Sequence, residues 1–161
     1  MEGLYFGERT GGCKGRLDNW RSMSFNEVMN LIDRIITDGA RTLTLEDLDA
    51  LMVVLPKIRD ELEAEAAPEE GMLDQFRFLR HVAEDAVAGL RRETSLVSLA
   101  EVTFALLYLT KNNDLIPDTL PHEGWIDDKA IFTAVLKRNE STLKELAIVR
   151  GHDWEMLTSV I

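Results

Sequence analysis

The chain has only one cysteine, Cys13, in 161 residues. A lone thiol excludes an intramolecular disulfide framework and a cysteine-rich zinc site, and its setting among glycines marks it as an exposed, incidental group. Long apolar runs are also missing. The richest stretch, Leu96 to Leu109, is interrupted by Ser98, Glu101 and Thr103, well short of the roughly 18 uninterrupted apolar residues of a membrane-spanning helix. No basic segment followed by an apolar run opens the chain, so no secretory signal is read there. The expected compartment is therefore the cytoplasm. Catalytic signatures are absent as well: there is no HExxH, no glycine-rich phosphate cradle and no GxSxG elbow. No segment alternates apolar and polar residues over the length of a strand, and no internal repeat occurs.

Basic residues are scarce. Eighteen lysines and arginines face 29 aspartates and glutamates, a formal charge of -11. Setting aside the first 22 residues, which hold four basic and three acidic groups, enlarges the acidic excess. A field of that sign repels phosphate backbones and anionic lipid surfaces, so nucleic-acid and bulk membrane binding both begin with a penalty. It suits solubility, a basic partner or a cation.

What is present is helical periodicity. The hydrophobic fraction of 45% and a length natural for one domain are enough to bury a core without disulfides or metal. Residues 1–22, with five of the ten glycines in the first 15 positions, read as a flexible leader; a hairpin on Leu4, Tyr5 and Phe6 and an expression remnant are the alternatives. Residues 23–161 read as one helical domain. Ser24 and Glu27 have the spacing of a capping box, and Phe25, Val28, Ile32 and Ile35 follow at steps of three and four, which predicts a first helix ending near Asp38-Gly39. Thr44 and Asp47 repeat the start signal for a second helix carrying Leu48, Leu51, Leu55, Ile58 and Leu62, with a kink or break at Pro56.

Pro68, Glu69 and Glu70 read as the opening turn of a third helix, with Met72, Phe76, Leu79, Ala83, Ala86 and Leu90 on one face and Arg91 and Arg92 near its end. Ser95 caps a fourth, apolar on most sides as a central element is. Asp127 or Asp128 opens a fifth with Ala130, Ile131, Ala134 and Val135. Ser141 opens a sixth with Leu143, Leu146 and Ala147, stopped by Gly151, and Trp154 and Leu157 pack the tail back. The fold class read from this pattern is all-α, an irregular bundle of about six helices.

Residues 111–128 break the periodicity with two prolines, a glycine and four aspartates. Ile116 and Leu120 are extended because each precedes a proline, and Gly124 supplies a positive φ or a close backbone approach. The order Asp114-Leu115-Ile116-Pro117-Asp118, then Pro121, then Gly124-Trp125-Ile126-Asp127-Asp128, after an apolar helix ending Leu106-Leu107-Tyr108-Leu109, resembles the YkvA-like family of small bacterial domains of unknown function. The likeness runs over about residues 100–136. Two positions depart from the family pattern. Asn112 stands where a proline is usual, and Asp118, Thr119 and Leu120, followed by His122-Glu123, replace a more apolar stretch. The resemblance implies a defined turn between two helices; it brings no reaction with it. Some members of the family look membrane-associated, which implies a peripheral membrane role through Leu115, Ile116, Leu120 and Trp125.

Three readings of this segment stand side by side. As scaffold, Asp127 caps the fifth helix, Asp128 favours its first turn, and Asp114 and Asp118 accept backbone donors in Asx-turns. As a cation site, Asp114, Asp118, Asp127 and Asp128, with Glu123 in reserve, offer hard oxygen ligands for Mg2+ or Ca2+, at spacings that match no established metal motif. As a recognition surface, Leu115, Ile116, Leu120, His122, Glu123 and Trp125 engage a protein partner or a second copy. His122 has no nucleophile at a convincing spacing, and His81 and His152 are weaker candidates still. The expected function is a non-enzymatic interaction or regulatory module that presents residues 112–128 to a macromolecule, with a divalent-cation-dependent activity or metal-stabilised switch as the alternative and membrane association as a third.

Overall fold

A computed structural model describes residues 22–64, 71–90, 94–110 and 126–159. Seven helices follow in order: α1 (Phe25–Arg41), α2 (Leu45–Ala64), α3 (Met72–Val87), α4 (Leu96–Tyr108), α5 (Ile126–Arg138), α6 (Glu140–Val149) and the short α7 (Trp154–Leu157). Among the described residues there is no strand, so the all-α bundle expected from the periodicity is the fold observed. The leader 1–22 lies outside the described residues except for Ser22.

α4 is the hub. It packs against α1, α2, α3 and α5, and Val102, Phe104, Ala105, Leu106, Leu107 and Tyr108 are all buried. A helix enclosed on every side needs apolar residues around its circumference rather than along one stripe. Its start is fixed locally: the Ser95 hydroxyl accepts the Ser98 backbone N–H at 3.0 Å, satisfying one of the donors that every helix N-terminus leaves over. The capping box read at α1 is also present, with the Ser24 backbone N–H donating to Glu27 Oε2 at 2.7 Å. That backbone bond, with help from the Ser24 hydroxyl, holds the Glu27 carboxyl below its ordinary value.

Several element boundaries differ from the expected ones. α1 does not stop at Asp38-Gly39 but continues to Arg41. Gly39 is there for packing: a Cβ built on it would fall into the Phe104 ring of α4, within 2.7 Å of Cζ. The missing side chain lets two helices approach closely, the second use of glycine besides ending helices. α2 runs unbroken through Pro56, which lies on the exposed side of the helix. Pro68 lies outside the described residues, and α3 is preceded by Gly71 at a positive φ of 80°. The same helix ends at Val87, and Leu90 N–H turns back to the Asp85 carbonyl at 3.0 Å. Leu90, expected on the buried face, is therefore beyond the helix and 74% exposed. α6 starts at Glu140, directly after α5, with Asn139 rather than Ser141 at its N-cap position. Trp154 and Leu157 do pack the tail back, as α7, and both are buried.

Candidate functional site

The end of α4 and the start of α5, which flank residues 111–125, are joined side chain to side chain. Tyr108, in the last turn of α4, donates its hydroxyl hydrogen to Asp127 Oδ2 at 3.1 Å. Tyr108 and Asp127 are each 4% exposed and Asp128 is 3% exposed. Both carboxylates sit in the first turn of α5, where the helix dipole favours negative charge. Lys137 and Arg138 occupy the opposite end of the same helix, matching the dipole in reverse. The junction is thus a buried, hydrogen-bonded hinge between two core helices, and the fold places Asp127 and Asp128 facing in.

Asp114, Leu115, Ile116, Asp118, Leu120, His122, Glu123 and Trp125 lie outside the described residues. Among the described residues no group of three or more His, Cys, Asp or Glu side chains is close enough to hold a metal ion. No described helix is long and apolar enough to cross a membrane.

A second polar constellation crosses the same two helices at the far end. Glu101, in the middle of the apolar α4 and 5% exposed, accepts from Arg138 Nη2 at 2.7 Å and from its Nε at 3.2 Å on each oxygen. Asn139 Nδ2 donates to the same carboxylate at 2.8 Å. Arg138 then reaches α1, donating to Asp33 Oδ1 at 3.2 Å and to Thr37 Oγ1 at 3.0 Å. One guanidinium therefore pins α1, α4 and the α5–α6 joint, using the fork geometry that lysine lacks. The hydrogen bonds to Glu101 hold the Arg138 pKa above its ordinary value, against the opposing effect of burial. Sequence reading registered Glu101 only as an interruption of an apolar run. The usable signal was that a charge inside a helix buried all round requires a partner.

On the outer side of α3, Asp85 is paired with Arg150 at the end of α6, and the Phe78 ring meets His152 edge-on at a centroid distance of 5.3 Å. His81, between them on α3, is held below its ordinary pKa chiefly by burial, then by the charges of Arg80 and Arg150. Nearby, Lys144, Ile148, Gly151, His152, Asp153, Trp154 and Glu155 line a shallow, open depression of about 510 Å³.

Residues 98–134 match the model of a family described as a protein of unknown function, DUF1232. No curated protein and no solved structure matches the chain. The DUF1232 stretch begins in the first turn of α4 and ends inside α5, so it takes in the hub helix, the 111–125 segment and the Tyr108–Asp127 junction. Glu101 falls within it, whereas its partners Arg138 and Asn139 lie beyond its end. The match thus covers most of α4 and of α5 and the residues between them.

Proposed function

We propose that the protein is a non-enzymatic, acidic helical interaction or regulatory module, working in a bacterial cytoplasm, that presents residues 112–128 to a protein partner or to a second copy of itself. The observation that carries this reading is the buried Tyr108–Asp127 hydrogen bond. It fixes both roots of the segment on the two helices that the DUF1232 pattern spans. A recognition element held at both roots loses less entropy on binding than a free strand does. The YkvA-like order of prolines, glycine and aspartates at 114–128 supports the same assignment, and Leu115, Ile116, Leu120, His122, Glu123 and Trp125 are its contact residues.

The test compares the wild type with Trp125→Ala and Leu120→Asp in affinity capture from a bacterial lysate and in sedimentation over a range of concentrations. Partners or self-association present in the wild type disappear in both variants while helicity and melting temperature hold. The same species recovered from all three proteins, or none from any, sinks the reading.

A second reading is a Mg2+ or Ca2+ site formed by Asp114, Asp118, Asp127 and Asp128. What favours it is the burial of the last two carboxylates at the edge of the segment that contains the other two. Calorimetric titration with magnesium, calcium and manganese would give no heat and no change in melting temperature if it is wrong. Peripheral membrane attachment through Leu115, Ile116, Leu120 and Trp125 is the weakest of the three and is excluded by indifference to liposomes.

A further inference from the structure

We infer that residues 153–158 are a displaceable plug, seated in cis on the face of α3 and α5 around Gln75, and that this seat accepts a short helix with tryptophan and leucine three positions apart. The seat is independent of the 112–128 segment.

α7 is a single turn of four residues, far below the length at which a helix holds itself together in water. It is helical because it is docked. Trp154 and Leu157, three apart and so on one side of the turn, point into the core, while Glu155 and Met156 face solvent. The Asp153 carboxylate caps the turn, accepting from the Glu155 N–H at 2.9 Å and the Met156 N–H at 3.2 Å. The chain enters it through Gly151, whose φ of 79° closes α6, so the plug begins at a point where the backbone already reverses.

The seat recognises the end of the turn specifically. Gln75 is 1% exposed, and its Nε2 donates to the Leu157 carbonyl at 2.6 Å and to Thr133 Oγ1 on α5 at 2.9 Å. A last-turn carbonyl is one of the acceptors a helix cannot satisfy from within. A buried amide placed to take it is a device for reading a helix end. Gln75 Oε1, however, is buried with no hydrogen-bond partner among the described residues. A polar atom enclosed without a partner disfavours the closed state relative to one in which water reaches it. The seated form is therefore held by Trp154, Leu157 and the buried Thr158, by packing on α6 and by one hydrogen bond to Gln75, set against one unmet acceptor. Such a contact opens locally, below the free energy of global unfolding.

Native-state hydrogen exchange on the full chain tests the opening. The amides of Leu157 and Thr158, bonded to the Asp153 and Trp154 carbonyls, exchange at least about 100-fold faster than the amides in the middle of α4. Gln75→Leu speeds exchange at Leu157 and Thr158 by about tenfold while α4 stays unchanged. Equal protection of α7 and α4, or a Gln75→Leu effect spread evenly over both, overturns the inference.

Occupancy in trans is tested with a fluorescein-labelled peptide of residues 150–159, whose anisotropy is followed on addition of the full-length protein. The peptide binds Leu157→Asp, which empties the seat, at least about tenfold more tightly than wild type, where the tethered plug competes. A folded Leu157→Asp that ignores the peptide overturns the inference. So does a Leu157→Asp chain that fails to fold, because α7 would then belong to the cooperative core.

Discussion

Replacing Gly39 with alanine gives opposite results according to whether the helix or the packing decides. Gly39 is inside α1, and an interior Gly→Ala change in an isolated helix stabilises by about 0.8–1 kcal/mol. In the folded bundle the added methyl meets the Phe104 ring, within 2.7 Å of Cζ and closer to two other ring carbons. Phe104 is 2% exposed on the hub helix and meets the Tyr108 ring at a tilt of 54° with centroids 6.0 Å apart, so the ring has little room to swing away. Overpacking of this kind costs about 1–3 kcal/mol, and an overlap with a buried ring belongs at the upper end.

Subtracting the propensity gain leaves a net loss of about 2 kcal/mol, or roughly 4–8 °C in melting temperature for a chain of this size. The measurement is urea unfolding of Gly39→Ala, Phe104→Leu and the double variant. In the Phe104→Leu background, where the ring is gone, Gly39→Ala becomes neutral or stabilising, and the cycle returns a coupling of about 2 kcal/mol. A single Gly39→Ala variant more stable than wild type, or a coupling below about 0.5 kcal/mol, refutes the close approach of α1 and α4.

Three further outcomes follow from the polar contacts. Tyr108→Phe removes the hydroxyl that bonds the buried Asp127 and lowers stability by about 1–3 kcal/mol in urea unfolding, the cost of leaving a buried acceptor short of a donor. Arg138→Met strips Glu101 of its bidentate partner and costs about 3–5 kcal/mol, whereas Glu101→Leu combined with Arg138→Met recovers most of that loss because no buried charge remains; a double variant as unstable as the single one contradicts this. The folded chain holds His81 below its ordinary 6.5, so the unfolded state binds its proton first as the pH falls. His81 thus contributes stability above pH 6.5 that is lost as the pH drops from there towards the folded-state value. The melting temperature of the wild type falls relative to that of His81→Gln on acidification through that window.

Much of the fold was legible because helix starts and apolar faces are local properties. Ser24 with Glu27 and Ser95 with Ser98 place their caps where the spacing predicts, and the buried leucines of α2 are those on its expected face. Asp128 was readable as a first-turn residue of α5 for the same reason, since the dipole acts over one turn; Asp127, expected as the cap, instead stands inside that turn, because the helix begins at Ile126, and accepts from Tyr108. The misreadings concerned residues whose local meaning is overridden from elsewhere in the chain. Glycine at 39 has the look of a helix end, yet it is the place where Phe104 approaches. Pro56 has the look of a break, yet its exposed side leaves the helix intact.

The sequence by itself determined an acidic all-helical bundle, because periodicity and capping are written in neighbouring residues; the proline- and glycine-punctuated stretch between α4 and α5 lies outside the described residues. Only the tertiary structure decided that Tyr108 ties the end of α4 to Asp127, that Glu101 finds Arg138 and Asn139 37 and 38 positions away, and that Gln75 reaches the Leu157 carbonyl 82 positions on. A buried polar group announces in the sequence that it needs a partner. Which partner it finds depends on how the helices cross.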